Sequence, residues 1–107
     1  MVSKAPRLPA MTEEQFQAMI LDLAGKLGWE TYHPYLSIFS AKGWPDLAMW
    51  RERLILAEIK TQRGKVSESQ QSVIAGLRTA KVEVYVWRPS DYEEIVKVLM
   101  RREESHG

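Results

Sequence analysis

Cysteine is missing from the sequence altogether, which excludes disulfides, thiolate metal sites and thiol catalysis and permits an intracellular setting. No apolar run approaches the roughly 20 residues of a membrane-spanning helix, and no secretory pattern opens the chain. The expectation is a cytoplasmic protein with no membrane attachment. A large charge of either sign is lacking too: 15 basic against 14 acidic residues give a formal net charge of +1. That withholds the strongly basic footprint usual for nucleic-acid binding, although an acidic metal site would offset basic residues elsewhere in the same chain. Internal repeats and low-complexity tracts are absent. What is present suits one small globular domain: 107 residues, 45% hydrophobic and 27% charged, enough to bury a core.

The punctuation of the chain divides it into seven elements. Residues 1–11, with Pro6 and Pro9, read as a flexible arm. Thr12 and Gln15 form a capping box, and Phe16, Met19, Ile20, Leu23, Ala24 and Leu27 follow at helical spacing until Gly28 stops the helix. Glu30 to Phe39, interrupted by Pro34, reads as a strand, and Ser40 to Pro45 as a loop. Asp46 to Trp50 and Arg53 to Lys60 read as two strands joined by a tight turn at Arg51-Glu52. The run Leu54-Ile55-Leu56-Ala57 lacks alternation, so it is expected to be covered on both faces. A second capping box, Ser67 with Gln70, opens a helix with Val73, Ile74, Leu77 and Ala80 on its apolar stripe. Val82 to Trp87 is a fourth strand, and Asp91 is expected to cap a last helix carrying Tyr92, Ile95, Val96 and Leu99. That helix then frays into a polar tail, residues 101–107. The order is αβββαβα, and the crossover helix implies a parallel strand pair inside a mixed sheet flanked by helices.

Three charges stand out against this apolar framework. Charged side chains are rarely buried unless paired or metal-bound, yet Glu58 and Lys60 end the most apolar strand of the chain. Residues i and i+2 of a strand share a face, so these two project side by side. Asp46, entering the preceding strand, meets them if the two strands form a hairpin. Two carboxylates and an ammonium at one sheet end make a site for a hard cation and a phosphate.

With Pro45-Asp46 and Glu58-Ile59-Lys60 in place, the chain resembles the PD-(D/E)XK nuclease superfamily, and within it the short, virus-type VRR-NUC domain. Glu13, Gly43-Trp44-Pro45-Asp46-Leu47, Ala57-Glu58-Ile59-Lys60-Thr61, Ser67 through Gln70 and Val86-Trp87-Arg88-Pro89 carry the resemblance, which covers nearly everything from Thr12 to Leu99. It implies a restriction-endonuclease-like α/β core over residues 12–100. Trp44 stands where the family commonly has Phe. It further implies a Mg²⁺-dependent endodeoxyribonuclease, with Mn²⁺ as substitute, resolving four-way junctions as a homodimer, of phage or prophage origin in a bacterial cytoplasm. A flap or single-strand nuclease is the alternative within the class, and a non-catalytic DNA-binding module the alternative outside it.

Residue types assign the roles. Water attack on an anionic phosphodiester needs charge neutralisation and a deprotonated nucleophile, and Mg²⁺ supplies both while keeping several waters. Asp46 and Glu58 are its candidate ligands; by resemblance the Ile59 backbone carbonyl is the third. Lys60 would orient or deprotonate water and steady charge on the phosphate oxygens. By resemblance Glu13 reaches the metal through water or a second ion, with Glu14 the alternative; a first-turn Glu also simply complements the helix dipole. Gln70 would bond the site or the phosphate, with Gln71 the alternative, unless capping is its whole role. His33, Ser37, Ser40, Lys42, Arg63 and Lys65 are candidate DNA contacts, and Arg101 and Arg102 further ones; as phosphate ligands they would confer affinity without sequence information. Ordinary solvated charge explains the basic ones equally well. Of Trp29, Trp44, Trp50 and Trp87, core packing is the default, with Trp44 or Trp50 available to a subunit interface.

Overall fold

The computed structural model describes residues 10–33 and 42–103. Helix α1 (Glu13–Lys26) starts on the expected capping box: Thr12 Oγ1 accepts from Gln15 N–H and Gln15 Oε1 from Thr12 N–H, both at 3.0 Å. It ends at Gly28, whose φ of +86° a side chain would resist. Strands β1 (Glu30–Tyr32), β2 (Leu47–Trp50), β3 (Leu54–Ile59) and β4 (Glu83–Trp87) form one sheet in the order β1-β2-β3-β4. β1 to β3 are antiparallel and β3 with β4 is parallel across helix α2 (Glu68–Thr79). Helix α3 (Tyr92–Met100) closes the domain. The order expected from the sequence is the one observed.

Strand alternation divides the side chains between two layers. Leu47, Met49, Ile55, Ala57, Ile59 and Trp87 face one way and pack with Phe16, Ile20 and Ala24 of α1 and Ile95, Val98 and Leu99 of α3. Leu56 and Val84 face the other way, onto Ile74 of α2. Fully burying each large side chain contributes about 1.5–3 kcal/mol, so the first layer dominates the core. The Trp29 indole is buried in it and donates to Leu99 O at 2.9 Å.

Three details differ from the sequence reading. Leu54 is half exposed, because α2 covers the sheet only from Leu56 onward; Ile55, Leu56 and Ala57 are covered as expected. Ala80 lies at the C-cap of α2 and is exposed, outside the apolar stripe. Asp91 does not cap α3 with its side chain; its Oδ2 accepts from Arg88 N–H at 2.9 Å and closes a 3₁₀ turn over Pro89–Asp91. Helix α3 ends at Met100, and Arg51 and Arg53 reach over from the β2–β3 turn to its last carbonyls. Arg53 donates to Val98 O and Arg101 O, and Arg51 to Leu27 O and Arg101 O. Both guanidiniums lie against the Trp29 ring, at 4.7 and 5.0 Å from its centroid. Cations so placed complement the carbonyl ends of α1 and α3, and they fasten the end of the sheet remote from Asp46. The expected continuation of β1 to Phe39 lies outside the described residues.

Candidate active site

In the antiparallel β2–β3 pair Leu47 faces Ala57, so Asp46, one residue earlier, stands opposite Glu58, one residue later. Side chains so opposed sit about 5 Å apart. Alternation from Ala48 and Leu56, both on the α2 layer, puts Asp46, Glu58 and Lys60 on that face too. The structure brings all three together at one end of the sheet. Asp46 Oδ2 accepts from Ile59 N–H at 2.9 Å, while Pro45, opposite Ile59 in this register, has no N–H to donate to the Ile59 carbonyl. The Ile59 carbonyl shares that edge of the strand with its own N–H.

Glu58 is the one buried charged residue among those described, with 1% of its surface exposed. Two donors converge on its Oε2: Lys60 Nζ at 3.3 Å and Gln70 Nε2 at 2.7 Å. Its Oε1 is buried with no hydrogen-bond partner among the described residues, a condition that costs a carboxylate well over 1 kcal/mol. Burial pushes the Glu58 carboxyl up to about 7; the charge of Asp46 adds to the rise and Lys60 opposes it. Glu13, at the start of α1, is also raised, first by burial and then by Asp46, with Lys60 lowering it. Glu13 therefore feels the same charges from the other side of the sheet end.

Gln70 has two roles at once. Its Oε1 accepts from Ser67 N–H at 2.9 Å to complete the capping box, while Nε2 holds Glu58. Gln71 turns elsewhere, donating to Val66 O at 3.1 Å. Gly43 fixes the Asp46 loop against this helix. Its φ is +89°, and a Cβ there would lie 2.4 Å from Ser69 O and 2.5 Å from Ser69 C. The sequence carried no physical signal for that contact; the glycine entered only through the Gly-x-Pro-Asp pattern.

Among the described residues no group of three His, Cys, Asp or Glu side chains is arranged to hold a metal ion. An all-protein cage is thus not built among them. Mg²⁺ needs none, since it is bound through one or two carboxylates and keeps its waters. The orphaned Glu58 Oε1 opposite a second carboxylate fits that requirement, because a cation would both partner the oxygen and relieve the repulsion with Asp46.

The candidate DNA contacts are more dispersed. Lys42 is exposed just before Gly43, and Arg63 and Lys65 are exposed around Gly64 in the loop after Lys60. His33 follows β1 and is half-buried; Ser37 and Ser40 lie outside the described residues. Arg101 and Arg102 belong to the remote end of the sheet, on Glu83 at 3.1 Å and Glu52 at 3.6 Å. Trp29 and Trp87 are core, whereas Trp44 and Trp50 are nearly half exposed.

A family model for the VRR-NUC domain matches residues 35–91, more than half of the chain. The chain belongs to the VRR-NUC family. VRR-NUC domains are nuclease domains acting on DNA with a PD-(D/E)XK-like core, and such domains generally use divalent metals. The match spans Asp46, Glu58, Lys60 and Gln70, but it begins after Glu13. No curated protein and no solved structure matches the chain. Among the described residues no helix is long and apolar enough to cross a membrane.

Proposed function

We propose that this VRR-NUC domain is a metal-dependent endodeoxyribonuclease that hydrolyses phosphodiester bonds in branched DNA, four-way junctions foremost, as a homodimer. The observation that carries the reading is the convergence of Asp46, Glu58 and Lys60 around a buried carboxylate oxygen that lacks a partner. Asp46, Glu58 and the Ile59 carbonyl would hold the cation, Mg²⁺ or Mn²⁺. When bound, the cation supplies charge neutralisation for the phosphodiester and acidifies the attacking water.

The remaining chemistry belongs to the side chains. Lys60 is a positive charge with three donors, 3.3 Å from Glu58 Oε2, and it orients water and steadies non-bridging phosphate oxygens as charge builds on them. Gln70 locks the Glu58 carboxylate in one orientation, and the Ile59 amide does the same for Asp46. Glu13 accepts from water near Asp46 and Lys60. His33, Ser37, Ser40, Lys42, Arg63 and Lys65 contact the DNA backbone.

One such site cuts one strand per visit, and a two-fold dimer offers two sites to the symmetric strands of a junction. Apolar surface supports a subunit contact: Tyr32, Trp50 and Leu54 lie exposed on the α2 face of the sheet, beyond the reach of that helix.

The test is incubation with labelled four-way junction, flap, single-stranded and duplex DNA in Mg²⁺, Mn²⁺ or EDTA. Junction cleavage that needs the metal and falls by about 10²-fold or more in Asp46→Ala and Lys60→Ala, with binding retained, is the expected result. Preference for the flap or single strand would select the alternative nuclease. Binding without cleavage in any metal would select the non-catalytic module. Light scattering should give twice the 12.4 kDa chain mass.

A further inference from the structure

Beside the Asp46–Glu58–Lys60 end lies an open cleft of roughly 510 Å³, between the loop after β3 and the start of α2. Arg63, Lys65 and Arg88 line it together with Gly64, Val66 and glutamines, and among the described residues no carboxylate does. Gly64 is the shared wall with the candidate active site, since a Cβ on it would lie 3.6 Å from Lys60 Cδ. The cleft thus begins where the Lys60 stem ends.

Its walls are fastened far more tightly than a connecting loop requires. Arg88 Nη1 donates to Thr61 O at 2.8 Å, Gln62 O at 3.3 Å and Gly64 O at 2.6 Å. Gln62 and Ser90 exchange two further bonds: Gln62 Nε2 donates to Ser90 Oγ and Ser90 N–H to Gln62 Oε1, both at 2.9 Å. Only one nitrogen of the Arg88 guanidinium is used in these contacts, and its planar fork holds further donors suited to phosphate. Three like charges gathered in a rigid cleft repel one another, which favours an anionic occupant.

We propose that this cleft is a phosphate subsite for the nucleotide next to the scissile bond, with Arg63, Lys65 and Arg88 as its ligands, so that the cut strand leaves the active site along the start of α2. This rests on the nuclease reading above and adds to it the path of the strand and a ligand, Arg88, that the sequence singled out without a role. Gln71, bonded to Val66 O, completes the polar lining. Contacts of this kind set affinity and register and carry no base preference.

Removing Arg88 would orphan three loop carbonyls, so the test uses the exposed pair, Arg63→Gln with Lys65→Gln. Binding of a fluorescent single-stranded DNA and of a labelled four-way junction is followed by anisotropy in EDTA, over a range of salt. For the single strand, the slope of log affinity against log salt should become shallower by about 0.7 for each phosphate the variant no longer neutralises. In Mg²⁺ the pair should raise KM several-fold and leave kcat within about twofold, because ground and transition states share the interaction. An unchanged salt slope in a double variant of a cleaving wild type overturns the subsite and leaves the nuclease standing. A fall in kcat with KM unchanged also overturns it. If wild type neither binds nor cleaves DNA, the nuclease reading itself falls.

Discussion

Glu58 makes the pH response of the metal-free protein predictable in sign and in rough size. Its carboxyl rises from an ordinary 4.5 to about 7, so between those values the folded chain keeps a proton that the unfolded chain has released. Stability then falls with pH across that window, by the linkage between proton uptake and folding. The contribution is fully present below pH 4.5 and lost above about 7. At about 1.36 kcal/mol per unit, the loss between pH 5 and pH 8 is about 3 kcal/mol. Glu13 acts in the same direction. Glu52, held down to about 2 by Arg51, acts in the opposite direction, but only below the usual carboxylate range. Denaturant unfolding followed by tryptophan fluorescence in EDTA should therefore show wild type weakening from pH 5 to pH 8. Glu58→Gln keeps the volume and the acceptor for Gln70, and removes the charge. It should flatten this profile and exceed wild type at pH 8 by about 2–3 kcal/mol. Millimolar Mg²⁺ should restore wild type at pH 8 and do little for the variant. A flat wild-type profile, or a variant weaker than wild type at pH 8, would refute the reasoning.

Three other outcomes follow from named interactions. Gly43→Ala must place a Cβ into the Ser69 backbone at a positive φ, and should cost about 3 kcal/mol in thermal unfolding from overpacking and backbone strain. Gln70→Ala removes both the cap acceptor and the Glu58 donor; it should cost about 1–2 kcal/mol and lower kcat, whereas Gln71→Ala should leave kcat alone. Arg53→Met, at the remote end, gives up the bonds to Glu83, Val98 O and Arg101 O; it should destabilise by about 2–4 kcal/mol with cleavage per folded molecule unchanged.

Much of this molecule could be read from the chain because local chemistry and tertiary packing agree. Both capping boxes are where Thr12 and Ser67 imply, and the parallel β3–β4 pair follows from a crossover helix that offers few other topologies. Glu58 and Lys60 were legible as neighbours because strand alternation is rigid. What escaped was the meeting of distant segments. Nothing in the composition tells that Leu54 lies past the cover of α2, that Asp91 serves Arg88 rather than its own helix, or that Arg51 and Arg53 tie down the end of α3. Each depends on which surfaces meet across the sheet, and a one-dimensional pattern holds no record of that. The capping box also drew attention to Gln70 for a local reason, while its second bond, to Glu58, is a long-range one.

That doubled duty limits what may stand at position 70. A glutamate would satisfy the Ser67 amide just as well, and the first turn of a helix ordinarily welcomes an anion. Here it would thrust a further negative charge onto Glu58, driving both acids toward neutrality and spoiling the grip on any cation. A neutral amide is bipolar, accepting at one end and donating at the other, so helix initiation and the carboxylate's posture are decided by the same few atoms. Loosening that first turn would slacken the Glu58 carboxylate with it.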